Sequence, residues 1–151
     1  MTQGNSKHRL QLWLQLLKAQ RQIESALRDK LRAEFGSTLP RFDVLSALDG
    51  AEGGLRMSEL SAVLKVSNGN VTGIVERLVS DQQVERVPVK GDRRAMRVKL
   101  TDKGKEKFYT MANVHEEWVS DLLGSFSPEE SEALCMTFET LNTELDKRGM
   151  I

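Results

Sequence analysis

The stretch Val84-Glu85-Arg86-Val87-Pro88-Val89-Lys90-Gly91-Asp92-Arg93-Arg94-Ala95-Met96-Arg97-Val98-Lys99-Leu100-Thr101-Asp102-Lys103-Gly104 carries a strand period twice, with a turn between. Val84, Arg86 and Pro88 alternate on the way in; Met96, Val98 and Leu100 alternate on the way out. Between them lie Lys90, Gly91, Asp92, Arg93 and Arg94, a Gly-Asp pair suited to a turn and three cations that a solvent-facing tip presents. A cationic hairpin tip of this width fits the minor groove of a duplex, whose negative potential attracts inserted arginine. The same residues also suit a solvated hairpin on any small domain, so their neighbours decide.

The neighbours on both sides are helical. Leu10, Trp13, Leu17, Ile23, Leu27 and Leu31 recur at threes and fours as far as Phe35, which predicts one long amphipathic helix. Gly36-Ser37-Thr38 ends it, and Pro40 stands where a first helical turn tolerates a missing N–H, opening a helix through Phe42, Leu45 and Leu48. Asp49-Gly50 and Gly53-Gly54 break the chain. Two short helices follow, one with Leu60, Val63 and Leu64, the other with Val71, Ile74, Val75 and Leu78, capped by Ser67 or Asn68. Beyond the hairpin, Thr101 caps a helix through Phe108, Met111, Val114, Trp118 and Leu122. Ser127-Pro128-Glu129-Glu130 then joins a capping box to a proline at the first position, ahead of the stripe Leu134, Phe138, Leu141, Leu145.

Helix, tight turn, helix and wing is the order of a winged helix-turn-helix. The expected fold is therefore mainly α with a small β-hairpin: one domain over 1–151, a DNA-binding lobe over 40–104, and long helices at 8–35 and 105–148. The stripes of these terminal helices either pack on each other within one chain or form a two-fold dimer. The dimer is the preferred expectation, because it buries both stripes and pairs two DNA-binding lobes.

The 151 residues hold 22 basic and 22 acidic side chains, a balance that by itself argues against a nucleic-acid partner. Distribution overrides the sum: residues 55–100 carry nine Lys/Arg against five Asp/Glu, and residues 101–151 carry five against eleven. Positive charge gathers around the wing, and the acidic third is kept from a polyanion. No apolar run is long enough for a membrane, and the start MTQGNSKHRL lacks a signal peptide's apolar core, so the expectation is a cytoplasmic protein. A lone Cys135 forms no intrachain disulfide and fits a reducing compartment.

In the expected reading helix, residues 68–80, Ser67, Asn68, Asn70 and Thr72 are short polar groups able to touch base edges or phosphates, and asparagine suits adenine. Val71 and Thr72 are candidates for a thymine methyl. The plainer account of Ser67, Asn68 and Asn70 is that they cap a helix.

These features resemble the MarR family of bacterial transcription regulators. The resemblance rests on Asp92-Arg93-Arg94 and the strand to Leu100-Thr101-Asp102-Lys103-Gly104, on Val71-Thr72 and Glu76-Arg77-Leu78, and on helix order from about residue 8 to 148. It implies a homodimer that binds double-stranded DNA, with terminal helices at the interface and repression usually relieved by a small molecule. It implies that Arg94 is the wing arginine of the minor groove, with Asp92 bracing it or a neighbouring arginine; Lys90 and Arg93 of the cationic tip and Arg77 of the reading helix are the further DNA-contact candidates. Two departures stand out. Gly73 follows Thr72 where many members have arginine, and Gln83 replaces a glycine common after the reading helix.

The segments 39–45 and 66–73 look like a subgroup that responds to aromatic acids or their hydroxycinnamoyl-CoA thioesters. A ligand site in the family lies between the dimer helices and the lobe, which makes Trp13, Leu17, Arg21, Arg28, Phe42 and Met111 lining candidates. Trp13 and Phe42 would supply aromatic faces, and Arg21 or Arg28 a cation for carboxylate or phosphate. Core packing is the competing account of the aromatic pair. Cys135 offers a redox trigger as an alternative, although its acidic neighbour Glu132 disfavours a thiolate. His8 and His115 lack the spacing of a metal site, and no cofactor motif is present. Nor is there a nucleophile with its base or a P-loop lysine, so an enzyme is not expected. A winged helix that docks only protein is the remaining alternative; steep salt dependence of binding would separate a DNA reader from it.

Overall fold

The structure, a computed structural model, describes residues 2–65 and 68–149, with the side chains at 2, 3, 68 and 69 left aside. In chain order it contains α1 (Thr2–Phe35), α2 (Leu39–Asp49), β1 (Leu55–Arg56), α3 (Met57–Leu64), α4 (Asn68–Ser80), β2 (Val84–Val89), β3 (Asp92–Leu100), α5 (Asp102–Leu122) and α6 (Pro128–Lys147). The capping chemistry lies where the residue types put it. Thr38 accepts from the Arg41 N–H at 3.3 Å, Thr101 from the Gly104 N–H at 3.0 Å, and Ser127 exchanges two 3.1 Å bonds with Glu130. Ser67, the other expected cap, lies outside the described residues. Helix α1 begins at Thr2, ahead of Leu10, because a helix already nucleated extends through residues that carry no apolar period.

The hairpin pairs Val84 with Leu100, Arg86 with Val98 and Pro88 with Met96, the register that alternation requires. The sheet also has a third strand that no period announces. Leu55 pairs with Val98 and Arg56 with Arg97, giving the antiparallel order β1-β3-β2. Two residues are too few to show alternation, so β1 is legible only in three dimensions.

The core is Leu31 of α1, Phe42, Val44, Leu45 and Leu48 of α2, Leu60 of α3, Val71, Val75 and Leu78 of α4, Val84, Val98 and Leu100 of the sheet, and Phe108 and Met111 of α5. Gln83 accounts for its own departure: the residue in the left-handed region is Gln82, with φ 61°, and the Gln83 N–H returns to the Leu78 carbonyl at 2.9 Å. The Gln83 carbonyl then accepts from the Thr101 N–H at 3.1 Å and lies against Gly104, where a β-carbon has no room. This close approach ties the end of α4 to the start of α5.

Helix α6 contributes nothing to that core, and among the described residues no other element packs extensively on it. Leu134 and Leu141 are 40% and 42% exposed, and at the other end of the chain Leu10 and Trp13 are 57% and 54% exposed. Within one chain the first turns of the α1 stripe, Leu10 and Trp13, and much of the α6 stripe stay uncovered, while Leu27 and Leu31 of α1 are buried against the lobe.

Candidate nucleic-acid interface

Helix α4 sorts its residues by the helical period. Val71, Val75 and Leu78 turn inward and are fully buried, while Asn70, Thr72, Gly73, Glu76 and Arg77 face out. Val71 therefore cannot meet a thymine methyl: it is a fully buried core residue, turned about 100° around the helix from exposed Thr72. Asn68 opens the helix, although its side chain is outside the description, as is all of Ser67.

The wing differs from the expected tip. Its two-residue turn is Lys90-Gly91, not Gly91-Asp92; Val89 pairs with Asp92, and the register then shifts so that Pro88 pairs with Met96. Gly91 adopts φ 88°, which a side chain disfavours. Arg93, Arg94 and Ala95 thus form a bulge in β3, a device that bends a strand and re-aims its side chains. Asp92 Oδ1 accepts from the Arg94 backbone N–H at 3.0 Å, so the acid holds the main chain of the bulge and no carboxylate among the described residues pairs with the Arg94 guanidinium. Lys90, Arg93 and Arg94 are exposed.

Arg94 and the reading helix share one cleft of about 430 Å³, lined by Arg56, Ser58, Thr72, Arg86, Arg94 and Met96 among others. Three arginines, Arg56, Arg86 and Arg94, line this space, and its lining includes no acid. Like charges brought together without a counter-charge are destabilising until an anion enters. Arg56 and Arg86 were not singled out by sequence. Arg86 sits in an alternating strand where charge marks only the solvent face, and Arg56 reaches the cleft through β1. Arg97, by contrast, is structural: its Nη1 donates to the Gly54 carbonyl at 3.3 Å and lies 3.9 Å from Glu59. Arg77 lies on the opposite flank of α4, held through Nε by Asp81 at 3.2 Å.

The six ligand candidates do not form one group. Phe42 and Met111 are sealed in the core, where Phe42 stacks on His115 with ring centroids 4.4 Å apart and contacts Phe108 at 5.6 Å. Trp13, Arg21 and Arg28 are exposed on α1, and Leu17 is half-buried. At the α1–α2–α5 junction, burial and the Glu24 charge push the Asp43 carboxyl up to about 6, since neighbouring atoms strip water from it although part of its surface is open. Burial alone lowers His115. Cys135 is exposed on α6. Among the described residues no helix is long and apolar enough to cross a membrane.

A family model described as "MarR family" matches residues 35–95. The HTH-type transcriptional regulator PecS of Dickeya dadantii (strain 3937) is 32% identical over 114 residues, 74% of this chain and 68% of its own length. Among solved structures, a MarR family transcriptional regulator from Silicibacter pomeroyi is 30% identical with a TM-score of 0.78, covering 93% of this chain and 97% of its own. A mutant MarR from E. coli complexed with operator DNA is 25% identical with a TM-score of 0.77, covering 89% and 95%.

Proposed function

The chain belongs to the MarR family of transcriptional regulators, and from that premise we propose that it acts in the cytoplasm as a homodimeric repressor of a pseudo-palindromic operator. Helix α4 enters the major groove, and the bulged wing sends Arg94 into the adjoining minor groove. The observation that carries this reading is the shared cleft: Thr72 of α4 and Arg94 of the wing line the same cationic space with Arg56 and Arg86. One anionic backbone strand fits between two elements that read neighbouring grooves. The E. coli relative bound to operator DNA supports the same partner. The exposed Leu10 and Trp13 of α1 and Leu134 and Leu141 of α6 support the dimer, since a two-fold pairing gives both helices a cover and sets two α4 helices side by side.

The effector is a small aromatic acid or its CoA thioester, held where α1 meets the lobe. Trp13 and Leu17 supply apolar surface, and Arg21 or Arg28 the cation; Phe42 and Met111, buried as they are, back this wall from within the core. Such a ligand releases DNA only if it binds the incompetent lobe spacing more tightly. Selection of bound fragments from random DNA, followed by titration of aromatic acids and their CoA esters against the complex, tests both parts. Half-sites about one helical turn apart are the expected yield. Enriched fragments without two-fold symmetry count against the dimeric reader, and a complex that no such acid dissolves counts against the effector.

A further inference from the structure

Helix α4 has a second flank. On the side away from the wing, a groove of about 430 Å³ runs between the start of α2 and α4, lined by Thr38, Pro40 and Arg41 on one side and Asn70, Gly73 and Arg77 on the other. A helix lying in the major groove, about 12 Å wide, has a sugar-phosphate backbone on each side of it. The wing-side cleft accounts for one backbone, and the α2-side groove faces the position of the other.

Among the described residues nothing internal to the protein accounts for Gly73 in that groove. A β-carbon built there meets nothing within 4 Å among these residues, so no neighbouring element requires a bare position. Its backbone is ordinary helix, absent from the positive-φ glycines. Glycine inside a helix is unfavourable relative to alanine. Arg41 is half-buried, and no carboxylate among the described residues pairs with it; Arg77 is already steadied by Asp81. The acid on the outward face of α4, Glu76, does not line the groove.

We infer that this groove seats the second DNA strand, with Arg41 holding a phosphate and Gly73 kept bare so that the strand can approach the α4 backbone. The inference rests on the DNA-reading function proposed above and adds to it two residues, one setting affinity and one setting fit. Arg41 acts as a charge on the backbone and carries no sequence information, whereas Gly73 controls how deeply α4 settles and hence which base edges Asn70 and Thr72 meet.

The test uses the full-length protein and the operator that it selects, with Arg41→Ala, Gly73→Ala, Gly73→Gln and Arg94→Ala. Arg41→Ala weakens binding about equally on all sequences and makes the slope of log K against log salt shallower by about two, one contact per half-site. Gly73→Ala raises Tm by about 2–4 °C because the helix gains and nothing clashes, yet it binds the operator severalfold less tightly. Gly73→Gln, which fills the groove, loses at least tenfold. An Arg41→Ala slope equal to the wild-type slope, or a Gly73→Gln protein with wild-type operator affinity, overturns the inference while Arg94→Ala still shows that DNA reading stands. A wild-type protein with no salt-dependent DNA affinity overturns both.

Discussion

At the scale of single residues, Gly104 shows how a motif position acquires its identity. Its α-carbon rests against the Gln83 carbonyl, the group that also accepts from the Thr101 N–H, so the strand end and the helix start close on each other without space for a methyl. Gly104→Ala is expected to cost about 1–3 kcal/mol of overpacking, read as a lower denaturant midpoint at unchanged m-value. A midpoint equal to wild type would mean that the two segments separate freely. Residue types exposed this site unevenly. Arg94 and Asp92 stood out as candidates because cations gather at the turn of an alternating hairpin, a pattern a solvated hairpin shares, and Thr72 because it stands at the start of an amphipathic helix. Val71 was misplaced by sequence because a β-branched apolar residue beside Thr72 suits both a thymine methyl and a core, and only the angle around α4 separates them. Arg56, Arg86 and Arg41 were silent, since a lone arginine on a strand or helix end has the same local pattern whether it meets solvent or phosphate.

At the scale of elements, the helices were legible from apolar spacing and caps, and the hairpin register from its alternation. The turn was not, because Lys90-Gly91 and Gly91-Asp92 are equally acceptable turn pairs, and the bulge at Arg93 to Ala95 chose between them. The α1–α2 contact carries a consequence for pH. Asp43 holds its proton up to about 6 in the folded chain, above its ordinary 3.8, so between these values the native state binds a proton that the unfolded state has lost. Stability from this group is present below about 3.8 and is lost as pH rises through about 6. Asp43→Asn is therefore expected to raise Tm more at pH 7.5 than at pH 4.5, measured by thermal unfolding. A gain independent of pH would show that the carboxyl titrates as it does in water. His115, lowered by burial, acts in the opposite sense, since its folded state resists the proton that the unfolded chain takes up as pH falls through 6.5.

At the scale of the whole molecule, one chain buries its lobe and leaves Leu10 and Trp13 of α1 and Leu134 and Leu141 of α6 open. Leu141→Glu on α6 leaves the lobe's core untouched and places a charge on the stripe. It is expected to shift the molecular mass measured by light scattering from twice the chain mass toward one, and to remove the dependence of Tm on protein concentration that a dimer shows. A variant that keeps the dimer mass would place the interface elsewhere. A dimer would matter because a single lobe presents one α4 and one wing, whereas two related by a two-fold axis would fix the spacing of half-sites. The most direct measurement of the whole scheme is operator affinity against salt for wild type and Arg94→Ala. Wild type is expected to lose affinity steeply as salt rises, and Arg94→Ala to bind at least tenfold more weakly with a slope shallower by about two; two superimposable lines would contradict a wing that carries its arginine into the DNA.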